Sequence, residues 1–233
     1  MSGFWLPLAA SILLAGCTVD LGPTGPPQTE SRSIDLDKTE MARAELKMGA
    51  GELRVRGGST KLMEADFRFT RPLLRPDVRY DASGFRGHLT IEEPSHSSGR
   101  NHGDYSWDVR FNDDKPLDLL VHFGAGEARM DEGSLTMRSL DVNMGVGELR
   151  LDLRGTPKHD YDVSIRGGVG EATVYLPSSA GIFADAKGGI GGIQVRGLQQ
   201  RDGHYVNDAY GHAAATIRLD IRGGVGAINL FAE

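Results

Sequence analysis

A single cysteine, Cys17, stands in the whole chain. No disulfide can form within it, so stability must come from packing and backbone pairing. Aromatic residues make up only 7%. Lysine and arginine are never massed into a block, and the net charge is −6. Without a basic patch interleaved with aromatics, nucleic acid is not an expected partner. Long apolar runs are scarce as well. Phe4 to Leu14 is one of eleven residues, too short for a membrane-spanning helix and of the length of a signal-peptide core. No later stretch is apolar enough to cross a bilayer as a helix.

What is present begins directly after that run. Leu14-Ala15-Gly16-Cys17 resembles the lipobox of bacterial lipoproteins. The resemblance implies that residues 1–16 are a signal peptide and that Cys17 becomes a lipid-modified N-terminus. Acylation accounts for a lone cysteine in an exported chain. Each buried methylene contributes about 0.8 kcal/mol, and stable anchoring takes more than one acyl chain, which a diacylglyceryl group supplies. The membrane is therefore an expected partner through Cys17. Thr18 follows, and by resemblance to enterobacterial sorting this favours an outer membrane in a Gram-negative cell. The body would then face the periplasm or the cell surface. Residues 17–32, with Gly22, Pro23, Gly25, Pro26 and Pro27, read as a tether. The remainder divides into an N-terminal β segment, 33–121, and a C-terminal repeat segment, 122–233, long enough together for a sizeable core.

Glycine is abundant, at 32 residues, and it is organised. Six triplets of glycine, small apolar residue and glycine occur: Gly49/Gly51, Gly124/Gly126, Gly145/Gly147, Gly168/Gly170, Gly189/Gly191 and Gly224/Gly226. From Gly124 to Gly189 the spacings are 21, 23 and 21 residues, a repeat period of the kind stacked arrays show. Leu198 to Gly211 fits as an insertion before the last copy. In each copy the apolar alternation changes parity across the triplet. Val142, Met144 and Val146 precede it, and Leu149, Leu151 and Leu153 follow. A straight strand that changed parity would turn its apolar face to solvent. A bend at a residue with an unusual backbone angle corrects this, and glycine tolerates positive φ. The second glycine of each triplet is therefore expected to form a corner, with the small residue pointing inward and the next residue outward. Strand, corner and strand every 21 residues or so predicts an all-β, solenoid-like stack of coils about 4.8 Å apart.

A phosphate-binding loop would need a helix after the glycines, and strand-period sequence follows here instead. A calcium-binding nonapeptide array would need aspartates at fixed offsets. Four copies carry glutamate after the second glycine: Glu52, Glu127, Glu148 and Glu171. They are expected to form one outward column, a possible surface for a partner, with Arg54, Arg129 and Arg150 offsetting their charge.

Between the first two copies lie LMEADFRF, DVRYDAS, GHLTIEE, SWDVRF and DLLVHF. Their period-2 patterns predict an antiparallel meander that caps the first end of the stack. Here KLMEADFRF, DVRYDASGFRGHLTIEEP, WDVRFNDDKPLDLLVHFGAGEARMD and SLDVNMGVGELRLDLRG resemble the bacterial toast-rack family, whose C-terminal domain is shared with LiaF-type proteins of the cell-wall antibiotic response. The resemblance implies an all-β, non-enzymatic envelope domain. LiaF-type members usually follow transmembrane helices and act on a sensor kinase, whereas this chain carries the lipobox instead.

Catalytic and metal chemistry find little support. His88, His96, His102, His122, His159, His204 and His212 lack the spacing and carboxylate or cysteine context of a zinc site, so neither a metal nor a cofactor is expected. Asp113 and Asp114, before Lys115-Pro116, read as a turn, since adjacent strand residues point to opposite faces. The expected function is binding or scaffolding in envelope maintenance or stress response, with an envelope protein or cell-wall component as partner. A surface adhesin-like module is the alternative, ahead of a glycan-processing β-helix enzyme acting through Asp113 or Asp114.

Overall fold

A computed structural model describes residues 25–94 and 104–233. Cys17 lies outside the described residues, as do His96 and His102. No α-helix occurs among the described residues. The strands are β1 (Gln28–Ile34), β2 (Met41–Ser59), β3 (Met63–Phe69), β4 (Asp77–Asp81), β5 (Arg86–Glu92), β6 (Ser106–Asn112), β7 (Leu117–Asp131), β8 (Met137–Asp152) and β9 (Tyr161–Leu176). Beyond them come β10 (Gly181–Ile190), β11 (Ile193–Arg196), β12 (Gln199–Arg201), β13 (His204–Val206), β14 (Thr216–Val225) and β15 (Ile228–Ala232).

The glycine triplets organise this set. β2, β7, β8 and β9 each run through a triplet and pair in parallel, glycine on glycine. Each coil thus has a first leg before the corner and a second leg after it. On the first leg Leu46, Val121, Val142, Ile165 and Ile221 stack inward, and on the second Val55, Met130, Leu151, Val174 and Leu230 do so. All ten are buried, and side chains of this size contribute about 1.5–3 kcal/mol each on burial. The change of parity happens at the second glycine, whose φ is +137° at Gly51, +127° at Gly126 and +136° at Gly147, with Gly170, Gly191 and Gly226 alike. The first glycine has a different cause. At Gly145 no positive φ is required, but an added Cβ would collide with the Gly124 carbonyl of the coil below.

Several features depart from the sequence expectation. Residues 28–32, expected as tether, belong to β1, which pairs with β3. The expected antiparallel meander is only partly one, because β5 and β6 pair in parallel with β2 and so continue the coils. Two further departures concern the corners and the stacking order. The residue between the glycines does not point inward. Val146, Val169, Val225 and Ile190 are exposed, at 53%, 48%, 45% and 74%, and Ala50 and Ala125 are half-buried. The inside of a tight bend is where the two legs converge, so there is no room for a side chain from the apex. That space is filled from the flanks, by buried residues such as Met48, Phe123 and Met144.

The stack also does not follow chain order. The last copy, β14 and β15, lies between β9 and the coil made by β10 and β11. The insertion forms the hairpin β12–β13, and β13 pairs with Phe183 and Ala184 of β10. This excursion takes the chain over the last coil and back into the gap.

At the other end, β5 pairs in parallel with the first leg of β2 and β6 with its second leg. Antiparallel β4 lies outside β5, and antiparallel β3 and β1 lie outside β6. Phe67 and Trp107 meet edge to face at 5.6 Å, sealing this end of the core. β7 crosses the boundary at 121/122 without a break, and one sheet continues through both segments.

Candidate interaction surface

The parallel register turns each outward sequence position into a column. Glu52, Glu127, Glu148 and Glu171 stand in one column beside the corner. The two further coils carry Ala227 and Gly192 there, one residue before the paired Ile228 and Ile193. Two residues along, Arg54, Arg129 and Arg150 form the next column, continued by Thr173, Asn229 and Gln194. Charge is offset locally. Arg129 pairs with Glu127 at 2.6 Å, and Asn229 and Thr173 donate to Glu171 at 2.7 and 3.2 Å.

Further along the second leg, Tyr175 and Phe231 are adjacent, with ring centroids 5.6 Å apart. Arg150 and Arg154 lie over Tyr175, and Arg196 lies over Phe231, at 4.5, 4.9 and 5.5 Å from the centroids. Arg150 also donates to the Tyr175 hydroxyl at 3.0 Å. Cation–π stacking of this kind fixes long guanidinium side chains on an otherwise mobile surface. Glutamates, arginines and rings together line an open groove of about 780 Å³. The glutamate column is visible from sequence spacing. The aromatic–arginine cluster is not, because Tyr175 and Phe231 become neighbours only through the out-of-order pairing of β15 with β9.

The first leg carries a complementary outward column: Lys47, His122, Asn143, Arg166, Arg222 and Lys187. Behind it Asp185 accepts from Arg222 at 2.9 Å and from Lys187 at 3.2 Å. The Arg222 hydrogen bond, supported by Lys187, holds the Asp185 carboxyl down at about 2.

Asp113 and Asp114 do not converge. Asp113 accepts from the Gly58 N–H at 3.0 Å and the Ser134 hydroxyl at 2.7 Å, tying loops together. Asp114 is exposed, and the Asn112 carboxamide accepts the N–H groups of both Asp114 and Lys115 at 3.1 Å. Lys115 turns inward instead and donates to the carbonyls of Asp37 and Thr39. The NDDKPLDL segment is therefore a structural clasp.

One acidic group is not apparent from the sequence pattern. Glu132 is fully buried, in the inward position that Leu153 occupies in the next coil, and its N–H bonds the Asp152 carbonyl. Neither of its carboxyl oxygens meets a hydrogen-bonding partner among the described residues. They lie by a cavity of about 40 Å³ lined by Leu153, Pro157 and Tyr161, among others. Burial, with a smaller contribution from the Asp131 charge, pushes the Glu132 carboxyl up to about 8.

These features define an all-β protein of stacked, cornered coils that presents repeated columns of side chains. The chain belongs to the toast-rack family: the N-terminal domain of toast_rack matches residues 23–175. The C-terminal domain of the cell wall-active antibiotics response protein LiaF matches residues 124–230. A candidate cell adhesion protein from Clostridium sporogenes is 32% identical, with a TM-score of 0.84 over 89% of this chain and 100% of that one. A candidate adhesin from Bacteroides fragilis, at 11% identity over 89% of this chain and 98% of that one, has a TM-score of 0.31. No match was found among proteins of curated function. The two domains and the Clostridium sporogenes relative fit a non-enzymatic, envelope-associated module. No helix among the described residues is long and apolar enough to cross a membrane.

Proposed function

We propose that this protein is a lipid-anchored module of the bacterial envelope that binds or scaffolds another envelope component through the outward face of its second legs. The observation that carries this reading is the groove along that face. Glu148, Glu171, Arg150, Asn229, Tyr175 and Phe231 converge there from three successive coils, while no group on the face is arranged as a nucleophile with its base. A rigid array of charged, amide and aromatic side chains suits recognition of a polar, extended surface. Cys17 would tether the body to the membrane through the Gly/Pro-rich segment. The adhesion name of the Clostridium sporogenes relative supports a second reading, in which the same face meets a surface outside the cell.

The test is in-cell photo-crosslinking from Thr173 and Gln194, groove positions away from the corner, with Asp77 on the opposite end as control. The proposal expects one envelope component other than this chain to be captured from the groove positions and not from Asp77. Equal capture from all three positions would contradict it. Surface labelling of whole cells separates the adhesin reading from a periplasm-facing one.

A further inference from the structure

The corner apices form a continuous exposed apolar ridge. Ala50, Ala125, Val146, Val169, Val225 and Ile190 follow one another in register, over about 24 Å at the spacing of strands. Glycines on both sides leave these side chains unshielded. Isolated surface aliphatics need no explanation, but a contiguous row of them marks a contact surface.

The flanks of the ridge are of opposite character. On the first-leg side stands the column of Lys47, His122, Asn143, Arg166, Arg222 and Lys187, in which Lys47, Arg222 and Lys187 also pair with Glu45, Asp185 and Asp220 of their own copy. On the second-leg side stand Glu52, Glu127, Glu148 and Glu171. Suppose two such ridges face each other about a two-fold axis parallel to the stack. The flanks then exchange sides, and the basic column of one copy meets the acidic column of the other, coil for coil. Glu52 comes opposite Lys47, Glu127 opposite His122, and Glu171 opposite Arg166. A two-fold perpendicular to the stack would set basic on basic, acidic on acidic, and Ala50 against Ile190. Electrostatic complementarity of this kind selects orientation.

We infer that the ridge is a homodimer interface, on which a second copy of this chain packs in parallel with its ridge in register. The inference goes beyond the binding face proposed above and does not depend on it. The parallel arrangement leaves both N-terminal tethers at one end, so two anchored copies can pair on a single membrane. The glutamates at the near edge of the groove are covered by the second copy, while Arg150, Tyr175, Asn229 and Phe231, further along the second leg, stay free for another partner.

The test uses the full chain in cells. Val169→Cys places a thiol at the centre of the ridge, and oxidation should join two copies through that same position. Asp162→Cys, exposed on the outer face of the first leg, should give no more dimer than the parent chain with Cys17 alone. Glu171→Arg and Arg166→Glu should each weaken Val169→Cys dimerisation by about tenfold or more, and the two together should restore it. Failure of the double exchange to rescue would overturn the charge register. Absence of Val169→Cys crosslinks, preferential joining of Ala50→Cys to Ile190→Cys, or a monomer whose ridge thiol is shielded only by anionic vesicles would each overturn the dimer. Loss of partner capture from Gln194 with the ridge crosslink intact would instead count against the function proposed above.

Discussion

Glu93 accepts a hydrogen bond from the backbone N–H of Gly49 at 2.5 Å. Its carboxyl sits against Gly49 where the Gly49 carbonyl sits against Gly124 and the Gly124 carbonyl against Gly145. A side chain thus stands in for the corner carbonyl at the first end of the stack. Next to it, the Tyr105 carbonyl accepts from Glu52 N–H at 3.0 Å. The corner is closed by these two groups rather than left as bare strand edge, the usual liability of an open sheet.

Replacing Glu93 by alanine should therefore destabilise the fold by about 1.5–3 kcal/mol, the range for a buried hydrogen bond to a charged group. Glu93→Gln keeps an acceptor and should lose less. Urea unfolding checks both, and equal losses would argue against the capping role.

Two glycines of adjacent coils, Gly147 in β8 and Gly167 in β9, give a contrast. Gly147 has φ +136°, and a Cβ there would overlap the Gly126 carbonyl. Gly167, two residues before the next corner's apex at Val169, has nothing within 4 Å of such a Cβ. Gly147→Ala should cost more than about 1 kcal/mol, because positive φ and backbone overlap add. Gly167→Ala should leave the unfolding midpoint nearly unchanged. A Gly147→Ala midpoint equal to that of the parent would remove the corner account.

Glu132 makes stability depend on pH. Its carboxyl is raised to about 8 in the fold, against an ordinary glutamate value of about 4.3 when unfolded. The native state thus favours the protonated form. Its contribution is fully present below the unfolded value and lost as pH climbs from there toward 8. At pH 7 the loss is on the order of 3 kcal/mol relative to pH 4. Glu132→Leu, which copies Leu153 in the neighbouring coil, should raise stability at pH 7 and flatten this slope. Parallel pH profiles for the two proteins would show that Glu132 is not its source.

The out-of-order stack makes truncation informative. β14 and β15 separate β9 from β10 and β11, so the C-terminal strands are interior rather than terminal. Removing residues 216–233 should expose both faces of the gap. Backbone amides of 181–196 should lose their protection from hydrogen exchange, while those of β7 keep theirs. Continued protection of 181–196 would mean that the last coil closes directly on β9.

Much of this fold is legible in the sequence, and the limits have physical causes. The corner is legible because the parity change at Gly147 has no other cheap solution in a half-buried strand. The direction of Val146 was not, because counting alternation through a bend assumes that the apex has an inside to point into. The position of the last coil was hidden because RGGVGAINL pairs equally well with any neighbouring copy, and local pattern carries no stacking order. Glu132, between Asp131 and Gly133, reads as part of a polar turn. Only the register with Leu153 shows it to be a core position.

The claim on which the account rests is that this cornered body works at the envelope, held there through Cys17. Membrane fractionation of cells producing the parent chain and Cys17→Ala tests it most directly, with the mass of the mature N-terminal peptide read alongside. The account predicts a diacylated residue at Cys17 and membrane retention for the parent, and release of Cys17→Ala to the soluble fraction. An unmodified cysteine, or equal membrane retention of the two proteins, would contradict it.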